Sequence, residues 1–159
     1  TQGVVERMLE AFTGTDLATQ MRLGEYGDAF ELIQRYPLTG VGFTGTPSID
    51  LYTDVASMYL IMANQIGLVG VGLFALTMGG VFIYGRKMWP LTAELTGQRA
   101  LHIGAHAALL AALVNATADL YFFRTDFHSS ITLFWLVVTA ALVSSRLASE
   151  RKGLPAPIR

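Results

Sequence analysis

Apolar positions dominate three long stretches of this chain and thin out between them. Residues 55–85 form a run of 31 without a single charge, and residues 100–118 and 127–145 form two further runs of 19 each. A helix needs about 20 apolar residues to cross the hydrocarbon core of a bilayer. Three such runs predict an all-α fold, an integral membrane bundle of about three transmembrane helices. The first run is too long for one straight span. At 1.5 Å per residue it reaches about 46 Å, against a core of about 30 Å. Gly67 and Gly70 mark the cheapest places for a break. The pattern therefore predicts a short, shallow helix over 55–66 and a span over about 68–84. The remaining spans fall at about 100–118 and 129–145. Gly72, Gly79 and Gly80, inside the first span, suit close helix packing in lipid.

Residues 1–54 have a different pattern, polar with short apolar periods. Asp16 can cap a helix that runs to about Tyr36, where Pro37 ends it, because the residue before a proline disfavours the helical region. At about 100° per residue, with Arg22 taken as zero, Tyr26 falls near about 40°, Ala29 near about −20° and Ile33 near about 20°. Arg22 thus lies in the apolar stripe and needs an anionic partner. An acidic neighbour or a bound anion would each serve. Arg35 falls near about 220°, beside Asp28 and Glu31, where Glu31 and Arg35 make an i,i+4 pair on a solvated face. The six residues from Gly40 to Gly45 fit G-x-G-x-x-G. A dinucleotide site requires a strand before that motif and a helix after it. Here a helix and Pro37 precede it and Pro47 follows, so it reads as a tight turn bringing backbone against the membrane face.

Charge turns the spans into a topology. The segment 1–54 carries eight acids and three bases. Arg86, Lys87 and Arg99 outnumber Glu94 in the loop after the first span. Arg146, Arg151, Lys152 and Arg159 outnumber Glu150 after the third. The loop between spans two and three holds Arg124 against Asp119 and Asp126. Basic loops face the cytoplasm, so 1–54 and 119–128 are expected outside, and 86–99 with the tail 146–159 inside. Thr1 begins an external region with nothing in the sequence to place it there, and the chain reads as the C-terminal portion of a longer membrane protein. With no cysteine, 52% hydrophobic and 14% charged residues, disulfide scaffolds, zinc-thiolate sites and disorder are excluded. A net charge of −1 argues against nucleic acid as a partner.

Several polar groups stand out against this apolar background. His102 and His106 are i,i+4, but the stretch lacks a zincin glutamate and a third ligand, so interhelical hydrogen bonds are expected and no metal. Asn115 and Asp119 are i,i+4 at the outer end of the second span. With Arg124, Asp126 and His128 they gather polar groups on the face that also carries Arg22, either as a functional cluster or as local ion pairs in a wet loop. Tyr121, Phe122, Phe123 and Trp89 fit interfacial anchors. Asp54 stands at the mouth of the first span, where it can cap the helix or serve as a general base.

Arg22, an amphipathic helix and then Pro37-Leu38-Thr39-Gly40-Val41-Gly42 resemble the "R…P-x-x-G-x-G" region of the O-antigen ligase and polysaccharide polymerase family. Met58-Tyr59-Leu60 followed by Gly67-Leu68-Val69-Gly70 resembles that family's "N-x-Y-L…G-L-x-G" stretch, with Ala56 and Ser57 in the positions of its histidine and asparagine. Asp119 and Phe134-Trp135 fit its last outer loop and last span more loosely. The resemblance implies a membrane glycosyltransferase. Such an enzyme takes a glycan from an undecaprenyl-diphosphate-type donor and joins it to a glycan or lipid acceptor at the outer face of a bacterial inner membrane. It implies Arg22 as the arginine facing the diphosphate. Asp54 is the candidate base, and Tyr59, Asp119, Arg124 and His128 are the candidate substrate contacts. A guanidinium can hold a diphosphate leaving group without a metal or other cofactor. The rival reading is a small-solute or inorganic-carbon transporter-like protein without covalent chemistry. A transporter calls for ionisable groups near the midplane or paired broken helices, and the polar groups here gather at one face.

Overall fold

The computed structural model describes residues 17–42, 55–92, 96–121 and 128–151. Among them the regular secondary structure is helical, joined by turns. Helix α1 is Leu17–Arg35, α2 is Met58–Met88, a 3-10 turn follows at Trp89–Thr92, α3 is Thr96–Asn115 and α4 is His128–Arg151. The chain divides into two compact units, Thr1–Val71 and Gly72–Arg159.

In the first unit, α1 stops two residues short of Pro37, as the restriction before proline requires. Its buried stripe centres on Ala29 and Leu32, with Tyr26 and Ile33 half-buried beside it, while Leu23 and Phe30 remain exposed. Arg35 pairs with Glu31 on the opposite, solvated face. Helix α2 breaks at Gly67, where φ is 70° and ψ is 178°. The long apolar run is thus a nine-residue stub over 58–66 and a longer segment over 68–88. The stub is buried through Met58, Ile61, Met62 and Ala63. It begins at Met58 rather than at 55, after a turn in which the Ser57 N–H donates to the Val55 carbonyl at 2.7 Å.

In the second unit, the core is a three-helix seam. Met78 and Val81 from α2 pack with Ala105, Leu109 and Ala112 from α3 and with Phe134, Val138 and Ala141 from α4. The spacings alternate three and four residues, the signature of shallow, interdigitated helix crossing. Phe74 stacks on Phe134 with ring centroids 6.2 Å apart. Gly72, Gly79 and Gly80 take no part: a Cβ added to any of them meets nothing within 4 Å. Among the described residues nothing packs against them. The packed face of α2 carries 74, 78, 81 and 85, and these glycines fall off it; alanines of α3 and α4 supply the small contacts instead.

Two segments, Met58–Thr92 and His128–Glu150, are long and apolar enough to cross a membrane, and only 17% and 33% of their most apolar stretches are buried. That measure supports two of the three expected spans. Helix α3 stands where the middle one is expected, but Gln98, Arg99, His102 and His106 lower its hydropathy. Hydroxyls in the apolar helices are turned back on their own backbones. Thr77 donates to Leu73 O at 2.8 Å, Thr132 to His128 O at 2.9 Å and Thr139 to Trp135 O at 2.7 Å. An exposed threonine so satisfied can face an apolar medium at little cost.

Candidate functional site

The break in α2 leaves orphan carbonyls on one side and orphan amides on the other, as any helix end does. The turn at 36–42 satisfies them. The Val41 N–H donates to the Asn64 carbonyl at 2.8 Å and the Gly42 N–H to the Gln65 carbonyl at 2.9 Å. In return the Leu68 N–H donates to the Pro37 carbonyl at 2.9 Å. The two backbones approach so closely that neither can carry a side chain at the crossing. A Cβ on Gly40 would strike the Asn64 carbonyl and come within 2.7 Å of the Gly67 nitrogen. One on Gly67 would strike the Leu38 carbonyl. Both glycines also have positive φ, 64° at Gly40 and 70° at Gly67, where L residues are strained. The turn at 36–42 and the break of α2 at Gly67 are therefore one joint.

Asn64 sits beside this joint, 3% exposed, and among the described residues neither its Oδ1 nor its Nδ2 has a partner. A buried amide left so costs about 1–3 kcal/mol of desolvation, and a hydroxyl-rich ligand presents the donors and acceptors that would relieve it. Sequence reading did not single out Asn64. The only signal was a lone amide pair, Asn64-Gln65, inside an uncharged run.

Of the site residues expected from sequence, Arg22 lies within α1, but its side chain is outside the described residues, as are Asp54 and Arg124 altogether. Tyr59 occupies the second position of α2 and is half-buried. Asp119 is exposed and turned onto its own loop, accepting the Tyr121 N–H at 3.2 Å. His128 is the exposed first residue of α4. No hydrogen bond or ion pair joins Asp119 to His128.

A second polar cluster lies inside the helical seam. His102, 2% exposed, bridges three helices. Its Nε2 lies 3.1 Å from the Gly85 carbonyl of α2, and its Nδ1 lies 3.2 Å from the Ser144 hydroxyl of α4. The Nε2–H then donates to Gly85, and Nδ1 accepts from Ser144, whose hydroxyl has an alternative acceptor in Ala141 O at 2.8 Å. These are the interhelical bonds expected of this histidine. His106 Nδ1 donates to the His102 carbonyl at 2.8 Å, and its buried Nε2 has no partner among the described residues. That ring packs directly on Gly85, where a Cβ would overlap it. Among the described residues no cluster of three His, Cys, Asp or Glu side chains is placed to hold a metal ion.

The chain matches no family of known proteins, no curated protein and no solved structure.

Proposed function

We propose that this chain is the C-terminal portion of a membrane glycosyltransferase of the O-antigen ligase and polysaccharide polymerase type, acting on a lipid-diphosphate-linked glycan at the outer membrane face. The observation that carries the reading is the joint between the turn at 36–42 and the break in α2. Two short motifs far apart in the chain meet main chain to main chain through three hydrogen bonds. Irregular backbone at membrane depth is tolerated where protein buries it or where it lines a cavity. The buried, unpartnered Asn64 carboxamide beside the joint adds a group suited to sugar hydroxyls. The membrane setting is supported by the apolar exterior of α2, where Leu68, Leu73, Leu76 and Ile83 are all more than half exposed.

In the proposed reaction the acceptor hydroxyl attacks the anomeric carbon of the donor sugar. The bond from that carbon to the diphosphate oxygen breaks, and the lipid diphosphate leaves with the electron pair. The hydroxyl proton passes to a base, for which Asp54 is the candidate. Arg22 neutralises charge on the departing diphosphate. A planar guanidinium is suited to that role by its bidentate geometry.

The test compares two arginines of one helix in a glycan-transfer assay on membranes with matched protein levels. Arg22→Ala is expected to lose about 2–4 kcal/mol of transition-state stabilisation, roughly 30- to 1000-fold in rate, and Arg22→Lys to recover part of it. Arg35→Ala removes only the exposed pair with Glu31, about 0.3–0.5 kcal/mol. Equal effects at both positions would remove Arg22 from the diphosphate. The helix break is also the feature that favours the transporter reading, since transporter sites are built on discontinuous helices. Solute uptake by vesicles that have no transferase activity would decide for it.

A further inference from the structure

Between the second half of α2 and α3 lies an open cleft of about 800 Å³. Its walls are largely apolar: Phe82 from α2, Ile103, Ala107 and Leu110 from α3, and the ring of Trp89 from the 3-10 turn. One cation, Arg86, lines the same cleft. Arg86 is exposed, and among the described residues no carboxylate pairs with it; the ion pairs found are Arg35 with Glu31 and Arg146 with Glu150. A second cation stands close by, because the Arg99 guanidinium sits 5.1 Å over the Trp89 ring. The histidines that also line the cleft carry no negative charge. His102 bonds Gly85 and Ser144, and His106 bonds the His102 carbonyl through Nδ1 alone.

An apolar trough with the Arg86 guanidinium, unpaired among the described residues, and an indole at one end is complementary to a molecule with an acyl chain and an anionic head. Basic pockets between transmembrane helices hold lipid headgroups in this way, and tryptophan favours the headgroup level. The geometry points to a binding site for an anionic phospholipid, with its phosphate on Arg86 and an acyl chain along Phe82, Ile103 and Leu110. The site rests on the membrane setting, not on the glycosyltransferase reading, and uses none of the residues assigned to transfer.

The chain has two tryptophans, and they provide the test with its own control: Trp89 lines the cleft, and Trp135 is exposed on α4. The full chain is reconstituted as Trp135→Phe, which leaves Trp89, and as Trp89→Phe, which leaves Trp135. Vesicles of phosphatidylcholine receive equal mole fractions of brominated-chain phosphatidylglycerol or brominated-chain phosphatidylcholine. Trp89 is expected to be quenched with about fivefold higher apparent affinity by the anionic lipid, the preference that one basic side chain near a membrane confers. Trp135 is expected to respond equally to both. Arg86→Gln in the Trp135→Phe background should abolish the preference of Trp89 while circular dichroism reports unchanged helix content. Equal quenching of Trp89 by the two lipids overturns the site, as does a preference that survives Arg86→Gln. Loss of the preference on adding soluble glycerol phosphate would replace the lipid with a free anion and overturn the assignment as well.

Discussion

Gly67 is asked for two things at once, and its neighbours separate them. Its φ of 70° with ψ of 178° lies in a region that side chains disfavour, and its Cα faces the Leu38 carbonyl with no room for a Cβ. Gly42 has the first demand only: φ is 83°, and an added Cβ meets nothing within 4 Å. Gly42→Ala is therefore expected to cost about 1–3 kcal/mol from backbone strain alone. Gly67→Ala adds a collision between two main chains, which cannot move aside as a side-chain tip can, and is expected to cost more than about 3 kcal/mol. Thermal melts in detergent on matched preparations compare the two. A Gly67→Ala melt as mild as that of Gly42→Ala would mean that the turn at 36–42 does not seat on the break.

At the level of helices, the seam of the second unit depends on a ring and a glycine that fit each other. Gly85→Ala pushes a methyl into His106 and is expected to destabilise by about 1–3 kcal/mol, the usual cost of overpacking. In a His106→Ala background the same change should be nearly silent, giving a coupling of similar size in a double-mutant cycle. Additive effects would show that the ring does not rest on Gly85. Two helix limits were legible in the chain. Pro37 sets the end of α1, and the excess length of the uncharged run requires a break in α2, which falls at Gly67, one of the two glycines marked for it. Partners were not legible. Periodicity places Gly72, Gly79 and Gly80 on a helix but does not say which face another helix covers, and they turn out to face open space. The carbonyls freed at 64 and 65 find donors at 41 and 42, a pairing across more than twenty residues that no local pattern encodes. The isolation of the Asn64 side chain follows from that same non-local packing.

For the whole molecule, the alternation of basic and acidic loops makes an orientation testable. The absence of native cysteine makes every introduced thiol a unique label. In the proposed topology, Ala118→Cys, exposed in the turn after α3, reacts with a membrane-impermeant maleimide in intact cells. Lys87→Cys, exposed near the end of α2, reacts only after permeabilisation. Labelling in the reverse order would put the basic loop outside and move the proposed glycan-transfer face with it. The joint at Gly67 has a further consequence for how this protein can vary. Its three bonds run between amides and carbonyls alone, and its closeness depends on two missing side chains. Leu38, Thr39 and Val41 contribute only main chain to it, so a descendant could exchange all three and inherit the same joint. Gly40 and Gly67 are bound by its closeness and Gly42 by its positive φ, and a likeness held in so few letters can outlast nearly all other likeness between two chains.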